Sequence, residues 1–396
     1  MNRFKLINNS KNTLITMSIT GLSQLKTDHV KNVILLVILA LYHVNLNAAT
    51  FCVTSNAEFQ NALSIAENNG EDNLIKVRQG EFILTNELVF EANSDNDLEI
   101  SGGWSFFFGN LCGIQSSKNP YLTVLNGNSL TRILRIIPTK FMDIKISYLT
   151  FTNGFIDANS QSGFYGAGIY IFSDNSSDIT AYEGNVTILH NVFMFNEAVN
   201  SSAFHTTGNK IVFQNNLIYA NHSINSGAIS LVSRENSTGI YFINNTVVEN
   251  TSQGTSTSLT GGLRLFSGEL ASGYIANNIF WDNDALDLHV SGNGFFYIYN
   301  NDIGTESYGN IARTELQNIS QNPLFAPGML NFKPQSNSPL VNAGRHPIPQ
   351  PFPPLPFQHN WILSEIDLAE NSRIEATIVD IGAYEYTDLI YINGFE

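Results

Sequence analysis

The stretch "NNLIYAN" (215–221) returns as "NNTVVEN" (244–250) and again as "NNIFWDN" (277–283). Aligned over six residues, the copies read "YLTFTN" (148–153), "NVFMFN" (191–196), "NLIYAN" (216–221), "NTVVEN" (245–250) and "NIFWDN" (278–283). "NDIG", starting at Asn301, is a truncated sixth copy. From Asn191 onward, successive copies start 25, 29, 33 and 23 residues apart. A unit this short cannot bury an apolar face by itself. It must stack on its neighbours.

Two further signatures share the period. Two small residues precede an apolar one in "GAGIYIF" (166–172), "SSAFHTT" (201–207), "SGAISLV" (226–232), "TGGLRLF" (260–266) and, more loosely, "ALDLHVS" (285–291). Alternating pairs come before the Asn motif: Val186/Ile188, Ile211/Phe213, Ile240/Phe242 and Phe296/Ile298. Each copy therefore carries three short strands with turns between them, one side chain in and the next out. A propeller needs longer antiparallel units, and a leucine-rich repeat needs leucines at fixed places. Loop-closure entropy grows slowly with length, so the spacing can vary without disturbing a stack. The expected fold is all-β: a single-stranded right-handed parallel β-helix, a solenoid.

Stacking also accounts for the asparagines. A buried side-chain amide needs partners for its donors and acceptor, and an amide one coil away supplies them. Asn also tolerates left-handed turn geometry. Asn153, Asn196, Asn221, Asn250 and Asn283 are expected to form one ladder. Taken singly, each would be an exposed turn residue.

The chain resembles the right-handed parallel β-helices of the pectin-lyase-like type. "SGAI" alternating with "FMFN" and "FWDN" is similar to the repeats of polymorphic outer-membrane proteins, which are bacterial surface adhesins. "NPLFAPGMLNFKPQSNSPLVNAG" (322–344) followed by "VDIGAYEY" (379–386) resembles the closing segment of secreted bacterial proteins of the choice-of-anchor Q domain type, and "DLIYINGFE" resembles a short tail on some exported bacterial proteins. The resemblance spans about residues 50 to 386. It implies the fold and export; that family has no agreed activity.

Residues 1–49 hold Arg3, Lys5, Lys11, Lys26 and Lys31 against one acid, Asp28. They include the apolar run "VILLVILALY" (33–42) and end near Ala48 and Ala49. This is the pattern of a secretory signal peptide, with Met1 or Met17 as the start. The run is shorter than the ~20 residues that span a bilayer, an uncleaved anchor being the alternative. No later segment is apolar enough to cross a membrane. Without the leader, 14 basic and 33 acidic residues leave a net charge near −19. Nucleic acid and anionic surfaces are then disfavoured as partners. Only 13% of residues are charged, which suits a β-rich extracellular monomer. Cys52 and Cys112, the only cysteines, read as one disulfide in an oxidising compartment, or else as two buried thiols.

The open ends of a solenoid need caps. "AEFQNALSIAENN" (57–69) spaces Phe59, Leu63 and Ile65/Ala66 as an amphipathic helix over the N-terminal end. The expected organisation is signal peptide 1–49, N-terminal cap and first coils 50–120, repeats 121–333, a Pro-rich loop and closing segment 334–386, and a tail 387–396. "RHPIPQPFPPLPFQHNW" (345–361) is too proline-rich for a strand ladder. "IVDIGAYEY" (378–386) is expected to return as a final strand.

In a stack, a once-per-copy position becomes a column. The outward position of the second signature reads Tyr170, His205, Ser230, Arg264 and His289, flanked by Phe172 and Phe266. These are the candidate ligand contacts for a polysaccharide or cell-surface glycan. A lyase needs a base and a cation, roles open to His289 and Arg264; a hydrolase needs paired carboxylates, for which Asp282, Asp284 and Asp287 are the local acids. The same three aspartates could hold Ca²⁺, although their spacing matches no calcium loop; a solvated turn is the plainer alternative, and no cofactor is expected. Polygalacturonase motifs are absent after the leader, as are phosphate loops and a nucleophile elbow. Secreted, non-catalytic glycan binding or adhesion is the leading expectation. A lyase or hydrolase working on the same face is the alternative.

Overall fold

The computed structural model describes residues 4–7, 14–17, 48–159, 163–172, 182–233, 239–254, 259–345, 363–374 and 379–387. The chain divides into two compact units, Met1–Asn47 and Ala48–Glu396. In the first, strands Phe4–Ile7 and Leu14–Met17 pair antiparallel. The apolar run 33–42, the Pro-rich residues 346–361 and the tail beyond 387 lie outside the described residues.

The second unit is a parallel β-helix. Three long sheets run its length, with eight, eleven and eight strands. Sheet A runs from Leu88–Glu91 to Glu306–Tyr308, sheet B from Ala49–Val53 to Ala312–Leu316, and sheet C from Gly80–Ile83 to Asp302–Ile303. One coil reads Phe204–Gly208 in sheet A, Lys210–Gln214 in sheet B and Leu217–Tyr219 in sheet C. A small fourth sheet, Glu197–Asn200, His222–Ser226 and Thr251–Ser252, lines the way back to sheet A.

Period-2 alternation sets burial. Asn73–Arg78 alternates buried and half-buried along its length, and Asn185–Leu189 does the same. Inward residues stack on register neighbours within a sheet, as Phe151 on Phe193 and Phe213 on Phe242, and pack between sheets B and C, as Phe193 on Phe213 and Phe242 on Phe280. Phe151, Phe193, Phe213, Phe242 and Phe280 form one continuous file, with ring centroids 5.1 to 6.1 Å apart. Helix α1 (Asn56–Ala66), N-capped by Ser55, buries Phe59, Ala62, Leu63 and Ala66 against the same core at its N-terminal end.

The Asn motif forms the corner between sheets B and C and the turn after sheet C. Two ladders run up the stack. In the first, Asn196 Nδ2 donates to Asn221 Oδ1 (2.9 Å), Asn221 to Asn250 (2.9 Å) and Asn250 to Asn283 (2.8 Å). The second is longer: Asn191, Asn216, Asn245, Asn278, Asn301 and Asn318, each amide donating to the next at 2.9 to 3.3 Å. Each rung also bonds backbone; Asn221 Nδ2 reaches the carbonyls of Phe193 and Tyr219. The residue before each second-ladder Asn has positive φ, His190 and Gln317 at the two ends (53° and 54°) and Asn215, Asn244, Asn277 and Asn300 between them (51° to 57°), a geometry Asn tolerates, hence the doublets.

Asn153 does not belong to the first ladder. Thr150 pairs with Val192, so Gly154 lies opposite Asn196 and Asn153 opposite Phe195. A Cβ on Gly154 would come within 2.3 Å of the Ala167 carbonyl, leaving no room for an amide side chain there. The Gly154 amide donates to Asn196 Oδ1 instead, at 2.8 Å.

The closing segment is a second departure. Residues 379–386 contain no strand. Together with 322–345 and 363–374 they form a strap along the outside of sheet C. Phe332, Leu340, Leu368, Ile381 and Tyr384 pack there on Val192, Leu217, Val248 and Ile279. The strap bonds the left-handed corner residues directly. Asn215 Nδ2 donates to the Ile366 carbonyl (3.1 Å), Asn277 Nδ2 to that of Arg345 (2.9 Å), and Asn300 Nδ2 to that of Ala343 (2.9 Å). Fully buried Arg373 bridges Glu385 (2.6 Å) and Asn215 (2.5 Å). A strap that finds its partners on the corner needs no ladder of its own.

Candidate functional site

The outward column of sheet A is in register. Tyr170 pairs with His205, His205 with Ser230, Ser230 with Arg264, and Arg264 with His289. Arg135 precedes it and Ser307 follows. Val232 pairs with Phe266, the neighbouring outward position. Strand pairing alone brings these residues together, since sheet neighbours lie ~4.8 Å apart.

The column is not uniformly open. Arg264 and Phe266 are exposed, Tyr170 and Phe172 half-buried, and His205, Ser230 and His289 buried. One cause is Tyr165, from the long connection before sheet A. Its ring lies 4.6 Å from His205 and 6.2 Å from Tyr170, centroid to centroid. Tyr170 and Phe172 are stacked at 5.7 Å with 6° between their planes. Beneath them Arg132 is fully buried: it pairs with Glu87 (2.5 Å), donates to the Gly163 carbonyl (2.9 Å), and holds its guanidinium 4.9 Å from the Tyr170 ring. Glu87 also takes Arg135 at 3.1 Å. Tyr165, Arg132, Glu87 and Arg135 all escaped sequence reasoning. Arg135 alone carried a signal, as the outward residue of a buried-exposed alternation.

Burial, followed by the charges of Arg264 and Arg132, lowers the His205 pKa to about 3. Among the described residues, its buried Nδ1 has no hydrogen-bond partner. Burial and then Arg264 push His289 down as well, and its Nδ1 also lacks a partner. Both imidazoles are therefore neutral at neutral pH and offer a lone pair rather than a charge. Arg264 is the exposed cation of the row.

Asp282, Asp284 and Asp287 do not converge. Asp287 is buried, turned away from the outward face, and terminates the first Asn ladder. Its Oδ1 accepts from Asn283 N (2.9 Å) and Nδ2 (2.7 Å), and its Oδ2 from Thr305 N and Oγ1 (both 2.8 Å). A carboxylate suits the last rung because it only accepts. Asp282 and Asp284 are exposed. Among the described residues, no group of three or more His, Cys, Asp or Glu side chains is arranged to hold a metal ion. Away from this face, Cys52 and Cys112 form a disulfide.

In chemical terms, among the described residues, the face offers aromatic rings, the exposed Arg264 guanidinium and two neutral imidazoles, with no paired carboxylates along the row. Compared with known proteins, the chain matches no family model, no curated protein and no solved structure.

Proposed function

We propose that this is an exported parallel β-helix, pectin-lyase-like and of the choice-of-anchor type, which acts as a monomer and binds glycans on the outer face of sheet A without turning them over. The observation that carries this reading is the row itself: Tyr170 and Phe172 stacked with nearly parallel rings, and Arg264 and Phe266 exposed farther along the same sheet. Pyranose faces stack on such rings, and a guanidinium pairs bidentately with a uronate carboxylate. Export is supported by the Cys52–Cys112 disulfide and by the basic-then-apolar pattern of the leader. A glycan array followed by titration of the best acidic ligand tests the reading. Arg264→Ala is expected to weaken binding about tenfold, the typical worth of one charge-assisted contact. Equal binding by Arg264→Ala and Tyr170→Ala would remove this face from consideration.

One observation favours a second reading, a polysaccharide lyase. Arg264 and His289 are register neighbours, and His289 is held neutral, the state a base requires. Incubation with polyuronates separates the two: absorbance from unsaturated products, lost in His289→Ala, would replace binding with catalysis.

A further inference from the structure

A hairpin leaves sheet B near its N-terminal end. Strand Leu98–Phe107 turns through Phe108 and Gly109 into Asn110–Gln115, which pairs back antiparallel. Residues 104–117 carry no charged side chain, in a chain whose net charge is −15. Phe106, Phe107, Phe108, Leu111 and Ile114 are all exposed, Phe108 at 90%. Contiguous exposed apolar surface marks a binding site, not a resting surface.

The turn adds an independent sign. Phe108 and Gly109 have φ of 44° and 83°, the two-residue geometry that strongly favours Asn-Gly or Asp-Gly. A phenylalanine here is strained in its backbone and hydrated on its ring, so folding gains nothing from it. Strain that the fold does not need points to function. The tip is also held firmly: Cys112 is buried and tied to Cys52 on the first strand of sheet B.

The surrounding charge points to the occupant. Lys76 sits over the Trp104 ring at 4.1 Å, Arg78 pairs in register with Trp104, and Lys118 follows the hairpin. Among the described residues, none of these three cations forms an ion pair. Two acids lie near them: Glu370, which accepts from the Lys118 backbone amide and the Ser117 hydroxyl, and Glu99, two residues before the register partner of Lys76 and paired with Lys145. An uncharged aromatic tip above a set of cations matches the layering of a phospholipid surface, with hydrocarbon boundary beyond phosphate. The acidity of the whole chain does not oppose this, because charges more than ~8 Å away are screened at physiological salt.

We propose that this hairpin docks the solenoid on a phospholipid bilayer by inserting Phe106, Phe107 and Phe108 into the interface. The attachment is peripheral: no described helix is long and apolar enough to cross a membrane. It is a second contact, independent of the sheet A face.

The test is co-sedimentation of the full chain with mixed phosphatidylcholine and phosphatidylglycerol vesicles. Phe108→Asn suits the turn better than the native residue, so its unfolding midpoint is expected to equal or exceed that of the parent. Its vesicle partition coefficient is expected to fall about tenfold or more, the worth of one inserted phenyl ring; adding Phe106→Ser lowers it further. The proposal is overturned if the parent stays in the supernatant, or if Phe108→Asn pellets as well as the parent. It is also overturned if sedimentation equilibrium finds a dimer that Phe108→Asn dissolves while vesicles bind neither protein, because the occupant is then a second copy.

Discussion

The corner between sheets B and C and the outer face of sheet A are built by the same vertical stacking, yet they differ in what they stack. At the corner each side chain's main partner is its own counterpart one coil away, and the rungs are Asn, Asn, Asn. On the face the row changes at every coil, through Tyr170, His205, Ser230, Arg264 and His289. An amide can donate to a copy of itself and accept from another, so repetition satisfies it. Two arginines in successive coils would repel, and two imidazoles gain no comparable bond. Uniform chemistry therefore marks where the molecule recognises itself, and mixed chemistry marks where it is free to recognise something else.

The contrast is broken most directly in the middle of a ladder. Asn221→Ala removes the acceptor of the Asn196 backbone amide, the amide donor to the Phe193 and Tyr219 carbonyls and the bond to Asn250 Oδ1, while Asn196 Nδ2 keeps the Phe151 carbonyl. Chemical denaturation is expected to show a loss of about 3–5 kcal/mol, the sum of several buried unmade bonds. Asn153→Ala, outside the ladder, gives up one bond to Asn126 Oδ1 (3.2 Å) and places Ala at a φ of 52°, and is expected to cost a smaller ~1–2 kcal/mol. Similar losses for the two would mean that ladder membership has no special energetic weight.

The face also contributes through pH, as does buried His190 at the corner. His205 has a folded pKa of about 3, below its unfolded value near 6.5. Between these values the unfolded chain binds the extra proton. The stability from burying neutral His205 is therefore complete above about pH 6.5 and is lost as pH falls toward 3. From pH 7 to pH 4 that loss is about 2–3 kcal/mol, and it is expected to vanish from the corresponding difference measured on His205→Gln. An unchanged difference would show that His205 titrates as an exposed residue. Smallest is Arg264→Ala, whose exposed side chain leaves stability within about 0.5 kcal/mol even where glycan binding falls. A larger loss would make the row part of the scaffold.

The same contrast explains what could be read in advance. Fold and column membership were legible because both follow from period 2 within a strand and a fixed unit between coils. The second ladder leaves its trace in the Asn doublets, but a doublet alone does not say that its second member points inward while its first turns the corner. Asn153 was misplaced because its corner carries Tyr148 where later coils carry His190 or Asn, so the copy slid by one residue. The burial of His205 was not legible: Tyr165 comes from an insertion that does not repeat. Nor was the strap, whose partners are turn residues hundreds of positions from it in some cases, such as Ser117 with Glu370. Composition groups Asp287 with Asp282 and Asp284 as one acidic cluster, whereas its role as last rung depends on Asn283 folding back to it.

The most direct test of vertical registry is a double-mutant cycle on Asn221 and Asn250, using Ala at each position. Their side chains meet at 2.9 Å and lie 29 residues apart in sequence. The stacked arrangement predicts a coupling energy of about 1–2 kcal/mol, with the double variant less destabilised than the two singles together. Additive losses, within about 0.3–0.5 kcal/mol, would contradict it, since amides that do not touch have nothing to share.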